Sequence, residues 1–148
     1  MTAARGSRGD ARSALPFLAA LAIIVLVVAG IGLMTLARRG EDSQREAVVR
    51  AALGQNDALQ RLDYAAFRAN TCAQQAGKEA EVLERQRSSV AQRGARYVGN
   101  VTEVSIDGDN ATANVVYYFG NTKDIKIDSA TTFVREDGSW RVCSPAPS

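Results

Sequence analysis

The run "ALPFLAALAIIVLVVAGIGLMTLA", Ala14 to Ala37, carries no charge over roughly 24 residues. An α-helix rises 1.5 Å per residue, so the run is about 36 Å long, against a bilayer hydrocarbon core of about 30 Å. A helix that is apolar on every side must be buried in a large protein core or in lipid. A chain of 148 residues cannot build such a core around it. The run is therefore expected to be a permanent transmembrane helix. The apolar part of a cleaved signal peptide spans only about 7–15 residues, and "TLARRG" is a weak cleavage site. Pro16 falls in the first turn, where a missing N–H is harmless. Arg12 on one side and Arg38 and Arg39 on the other can reach the headgroups.

This anchor sets the domain organisation. Residues 1–13 are expected to form a short cytoplasmic tail, 14–37 the membrane helix, and 38–45 a linker and helix start. Residues 46–145 form an α+β domain and 146–148 a tail. Within the domain, Val48, Val49, Ala52, Leu59 and Leu62 recur at helical spacing, with Gly54 a weak point in the middle. Asp63 reads as the N-cap of a short helix, "YAAFRAN", with Tyr64 and Phe67 on one face. A third helix covers "KEAEVLERQRSSVAQRG", with Val82, Leu83 and Val90 as its apolar points and Gly94 as its stop.

After Gly94 the texture changes to β-branched and aromatic residues. "RYVGNVTEVSI", "ATANVVYYFG", "IKIDSATTFVR" and "WRVCS" read as strands, joined by the turn signals "DGDN", "NTKD" and "EDGS". Ala111, Ala113, Val115, Tyr117 and Phe119 alternate onto one face, as do Ile125, Ile127 and Phe133. The first strand changes phase between Val101 and Val104, which predicts a bulge. Helices followed by an antiparallel meander imply an α+β fold with helices packed on a four-stranded antiparallel sheet.

Composition narrows the chemistry. The chain has no histidine and only two cysteines, Cys72 and Cys143. Histidine is the usual general base and metal ligand near neutral pH. Its absence removes the Ser-His and Cys-His nucleophile pairs and the HExxH zinc site. Two cysteines alone cannot complete a tetrahedral zinc site. No cofactor is expected. Net charge is +2 with both signs mixed and no basic block in the C-terminal part, so no nucleic-acid partner is expected.

The segments "ALQRLDYAAFRANTC", "VTEVSIDGDNATANVVYYF" and "TTFVREDGSWRVC", in that order, make residues 41–145 resemble the nuclear transport factor 2-like (cystatin-like α+β) superfamily. The layout is similar to that of small actinobacterial envelope proteins with one membrane helix, among them the mammalian-cell-entry-associated membrane proteins. The resemblance implies a curved sheet around a conical cavity, with homodimers formed through the sheet. The residues expected to line that cavity are Tyr64, Phe67, Tyr117, Phe119, Phe133 and Trp140. Function is not implied, because the fold hosts isomerases, dehydratases, carriers and binding modules.

In this arrangement Cys72 ends a short helix and Cys143 lies on the last strand. A disulfide between them is the preferred reading, with two free buried thiols as the alternative. Disulfides persist outside the cytoplasm, so the pair argues for an extracytoplasmic domain. The flanking basic residues do not choose a side. Strict alternation sets Cys143 on the face opposite Trp140 and Val142, and a bulge or frayed end is expected to relieve that conflict.

Asp63 beside Tyr64, with Tyr97, Tyr117 and Tyr118 on or near strands, offers groups for acid–base chemistry, but no spacing fixes a pair and Asp63 is explained well as a helix cap. "DGDN" at 107–110 lacks the later ligands of a calcium loop. The expected function is a non-catalytic, single-pass, membrane-anchored interaction module of the bacterial cell envelope. Its expected partners are the lipid bilayer, envelope proteins and a second copy of itself. The alternatives are a carrier or sensor of a small apolar ligand and an isomerase- or dehydratase-like enzyme.

Overall fold

The computed structural model describes residues 11–145 and Pro147. Residues 1–10 of the expected N-terminal tail, and Ala146 and Ser148 of the expected C-terminal one, lie outside the described residues. The side chains of Arg12 and Pro16 do too. The chain divides into two compact units, Met1–Glu41 and Asp42–Ser148.

The described part of the first unit belongs to helix α1 (Ala11–Gln60). Its most apolar 18-residue window has a mean hydropathy of 2.9, with no residue of that window buried. Phe17, Leu26 and Leu33 are 78%, 72% and 70% exposed. A core helix of a soluble protein would hide such side chains, so this helix is long and apolar enough to cross a membrane. Residues 38–45, expected as a linker and helix start, are helical throughout. Gly40 is the only poor helix former among them, and one glycine costs about 1 kcal/mol, too little to end a helix this long.

The second unit holds the rest of α1 and helices α2 (Tyr64–Ala69) and α3 (Glu79–Arg93). Four strands follow: β1 (Arg96–Asp107), β2 (Asn110–Phe119), β3 (Thr122–Glu136) and β4 (Ser139–Val142). They form one antiparallel sheet in the order β1-β2-β3-β4. The architecture is α+β, helices on a four-stranded antiparallel sheet, in the element order that the superfamily resemblance implies.

Local chemistry fixes the boundaries. Asp63 caps α2, its Oδ1 accepting from the Ala66 N–H at 2.9 Å. Gly94 closes α3 at φ 79° and ψ −179°, a region open in practice only to glycine. Gly54 does not interrupt α1. A Cβ there would lie 2.6 Å from Asn70 Oδ1, so glycine lets the turn after α2 approach the helix. Asp137 and Gly138 both have positive φ (51° and 76°), as the tight β3–β4 hairpin requires. The β2–β3 turn is shorter than expected. It is made by Gly120 and Asn121, so Thr122, Lys123 and Asp124 belong to β3.

The expected bulge in β1 is present. The register shifts between Thr102 and Ser105, where Glu103 has φ 55°, and again between Val98 and Asn100. Such bulges bend a strand and increase its local twist. On its inner face Ala111, Ala113, Val115, Tyr117, Phe133, Trp140 and Val142 pack against Val48, Ala51 and Ala52 of α1. A second cluster, Ala58, Leu59, Phe67 and Val82, ties α1 to α2 and α3. Three positions expected on apolar faces are exposed, Ile125 of β3 the most so at 60%. Leu62 sits at φ 56° past the end of α1 and is 39% exposed, and Val90 is also 39% exposed. On α3 the buried position is Gln86 instead, one turn after Val82.

The short β4 is an edge strand, but it is covered. Thr71 forms a parallel bridge with Val142. The Cys72 N–H donates to Val142 O, and the Val142 N–H donates to Asn70 O, both at 2.9 Å.

Candidate functional site

Cys72 and Cys143 form a disulfide with Cα atoms 5.2 Å apart. Because Thr71 pairs with Val142 in parallel, Cys72 falls directly opposite Cys143. No bulge in β4 is needed: its register with β3 is regular, and the strand ends at Val142. The expected conflict over faces disappears because the partner cysteine arrives on an added stretch of strand rather than through the core. The bond closes 71 residues of chain, worth about 4 kcal/mol by the loop-entropy relation.

The residues expected to line a cone-shaped cavity are placed differently from one another. Tyr117, Phe133 and Trp140 belong to the packed core, and Phe119 is buried under the Arg93 guanidinium, 3.9 Å from the ring centroid. Tyr64 stacks on Phe67 with centroids 6.1 Å apart, and its hydroxyl donates to Gly77 O. Trp140 also edges a shallow depression with Gln44, whose Oε1 accepts from Trp140 Nε1 and Arg135 Nη2, each at 2.9 Å. Phe67 alone of the six lines the cavity described next.

That cavity holds about 240 Å³ and lies between α1, α2, α3, the start of β1 and the C-terminal segment. Leu59, Phe67 and Val82 form its apolar wall. Gln55, Thr71, Gln86, Ser89, Ser144 and Arg96 supply polar groups, and Arg85 stands at an exposed position. Gln55 Nε2 donates to Thr71 Oγ1 at 3.0 Å. Gln86 is only 6% exposed, and its Nε2 has no hydrogen-bond partner.

Arg96 is the unusual member. It begins β1 opposite the buried Phe119 and is 5% exposed. Its Nε donates to Asn56 Oδ1 at 2.9 Å and its Nη1 to Pro147 O at 2.7 Å. The Asn56 Nδ2 in turn donates to the Arg96 carbonyl at 3.1 Å, which fixes the pair. Nη2 is buried with no partner among the described residues. Arg135 and Arg141 on the same sheet face carboxylates, but no ion pair among the described residues includes Arg96. Its guanidinium lies 5.3 Å from the Tyr117 ring centroid. Burial pulls the Arg96 pKa down, offset in part by Tyr117. The Tyr117 phenol is pushed up by its own burial, against the pull of Arg96 and a hydrogen bond with Thr131. Arginine still stays charged, so a cation is held in a site of low polarity with only neutral acceptors.

Sequence reasoning missed Arg96, Gln55 and Gln86. The signal was a polar residue in phase with apolar ones: Arg96 two before Val98, Gln55 four from Ala51 and Leu59, Gln86 four after Val82. The cavity offers amides, hydroxyls and guanidinium groups, and among the described residues its lining includes no carboxylate, thiol or imidazole. Asp63 serves as a helix cap and lies outside the lining.

No protein-family model matches the sequence, and no curated protein matches it. A crystal structure of an NTF2-like transpeptidase from Campylobacter jejuni is similar at 18% identity and a TM-score of 0.46, covering 64% of this chain and 94% of that one. No activity is taken from that likeness.

Proposed function

We propose that the chain is a single-pass membrane protein of the bacterial cell envelope, whose α+β domain lies outside the cytoplasm as a non-catalytic interaction module. The observation that carries this reading is the disulfide on a domain that follows an apolar helix. Such bonds are kept in oxidising compartments and are rare in the cytosol. The lining of the cavity, rich in donors and lacking a base, suits binding better than turnover. Its partners in this reading are the bilayer, other envelope proteins and a second copy through the exposed face of the sheet. Tyr97 and Tyr118 stack there at 5.1 Å, and Lys126 lies 3.7 Å over the Tyr118 ring.

The test is labelling of intact cells with a membrane-impermeant maleimide, with and without prior reduction. A gel shift that appears only after reduction supports the proposal. Labelling that appears only after lysis puts the domain in the cytoplasm and overturns it. Co-purification from native membranes then asks who the partner is, and a chain that returns neither another protein nor a second copy has no interaction role.

A further inference from the structure

We propose that the cavity around Arg96 is a binding site for a small monocarboxylate with a short apolar body. The buried Arg96 guanidinium has one unpartnered nitrogen, Nη2, and no anionic partner among the described residues. The buried Gln86 lines the same cavity with an unpartnered Nε2. Two unpaired buried donors around one void are unusual, because nearly all buried polar groups find a partner. Both residues line that void, and each donor is satisfied if side-chain rotation turns it toward an acceptor held there.

The ligand's chemistry follows from the lining. Of the two arginines that line the cavity only Arg96 is buried, Arg85 being exposed and screened by water, and one buried cation balances one negative charge, which favours a carboxylate over the more highly charged phosphate. A guanidinium edge and an amide donor on the wall of one cavity suit the two oxygens of a carboxylate. Leu59, Phe67 and Val82 offer an apolar wall to the rest of the molecule. At about 30 Å³ per water the 240 Å³ cavity holds roughly eight waters, so the ligand is small. Ser144 and Pro145 lie at the wall, and the Pro147 carbonyl accepts from Nη1. An apolar cargo is one alternative for such a domain; the unpaired cation makes the cargo amphipathic instead. The cavity belongs to the second unit alone, so its ligand does not depend on which side of a membrane the domain occupies.

The probes are benzoate, its neutral counterpart benzamide, and inorganic phosphate. They are titrated by calorimetry into the full-length chain in an uncharged detergent, with side-chain NMR of the Arg96 Nε–H as a second readout. Benzoate is expected to bind at least about tenfold tighter than benzamide and to shift the Arg96 signal. Arg96→Met should remove the preference and Arg96→Lys should keep part of it. If Arg96→Met fails to fold, Ser89→Phe, which fills the cavity from a partly exposed position, should block benzoate with an unchanged melting temperature. Equal binding of benzoate and benzamide overturns the proposal, as does undiminished binding in Arg96→Met or Ser89→Phe. Preference for phosphate, or no binding of benzoate at millimolar concentration, overturns it too.

Discussion

Removing the Cys72–Cys143 bond is the most quantitative perturbation of this domain. The bond closes 71 residues, and the loop-entropy relation gives about 4.4 kcal/mol at room temperature. The reduced chain also keeps the backbone bonds between Cys72 and Val142 and between Val142 and Asn70, so the native geometry has no reason to change. Nearly the whole effect should then come from the unfolded state. For a domain of about 100 residues each kcal/mol moves the melting temperature by about 4–5 °C, so the double variant Cys72→Ala/Cys143→Ala should melt roughly 18–22 °C lower. The assay is thermal unfolding of the full chain in detergent, followed by near-UV circular dichroism of Trp140, with the native chain under reductant as a second arm. A drop below about 5 °C in both arms, with an unchanged denaturant slope, would refute the reasoning, because the unfolded chain would then have gained little freedom.

Four further outcomes are expected. Gly94→Ala places a Cβ 3.0 Å from the Asn121 backbone nitrogen at φ 79°, and should cost about 2–3 kcal/mol in chemical denaturation. Asp63→Ala removes the α2 cap and should cost about 1 kcal/mol, read as a lower denaturation midpoint. Phe133→Ala empties a position that is 1% exposed in the main core and should cost about 3–5 kcal/mol by the same measurement. Tyr117 titrates above the ordinary tyrosine value of 10.0 because it is buried. Above that pH the unfolded chain loses its proton first, so stability should fall as pH rises and the fall should be shallower in Tyr117→Phe, as followed by denaturation at a series of alkaline pH values.

Much of this fold is written in local pattern. The uncharged run, the Asp63 cap, the Gly94 stop and the alternation from Ala111 to Phe119 each follow from one property of a few adjacent residues, and each is found in place. Where the pattern misled, tertiary contact decided. Gly54 looked like a weak point because propensity counts the helix alone, whereas the close approach of Asn70 requires a residue without a side chain. Val90 looked apolar and inward, yet α3 turns Gln86 to the interior. The cavity was the least legible part. Its lining comes from three helices, the first residue of β1 and the segment after β4. Nothing in a local window says that Arg96 will be buried without a carboxylate beside it.

The parallel bridge at Thr71 has a bearing on how these chains keep apart. An open strand edge is a template on which another copy can add, and copies held by one membrane meet far more often than copies free in solution. Along β4 that template is closed by Asn70–Cys72 and locked covalently. The outer side of β3 before its pairing with β4 begins carries Lys123, Asp124, Lys126 and Asp128, so an incoming strand would have to bury charge. The opposite edge, β1, is broken by its two register shifts and cannot offer a straight ladder. The disulfide therefore does more than resist heat: it keeps the covering segment tied to its edge whenever the domain opens, so in the proposed membrane setting a reduced chain that opens is expected to pair with a neighbour more often before it recloses.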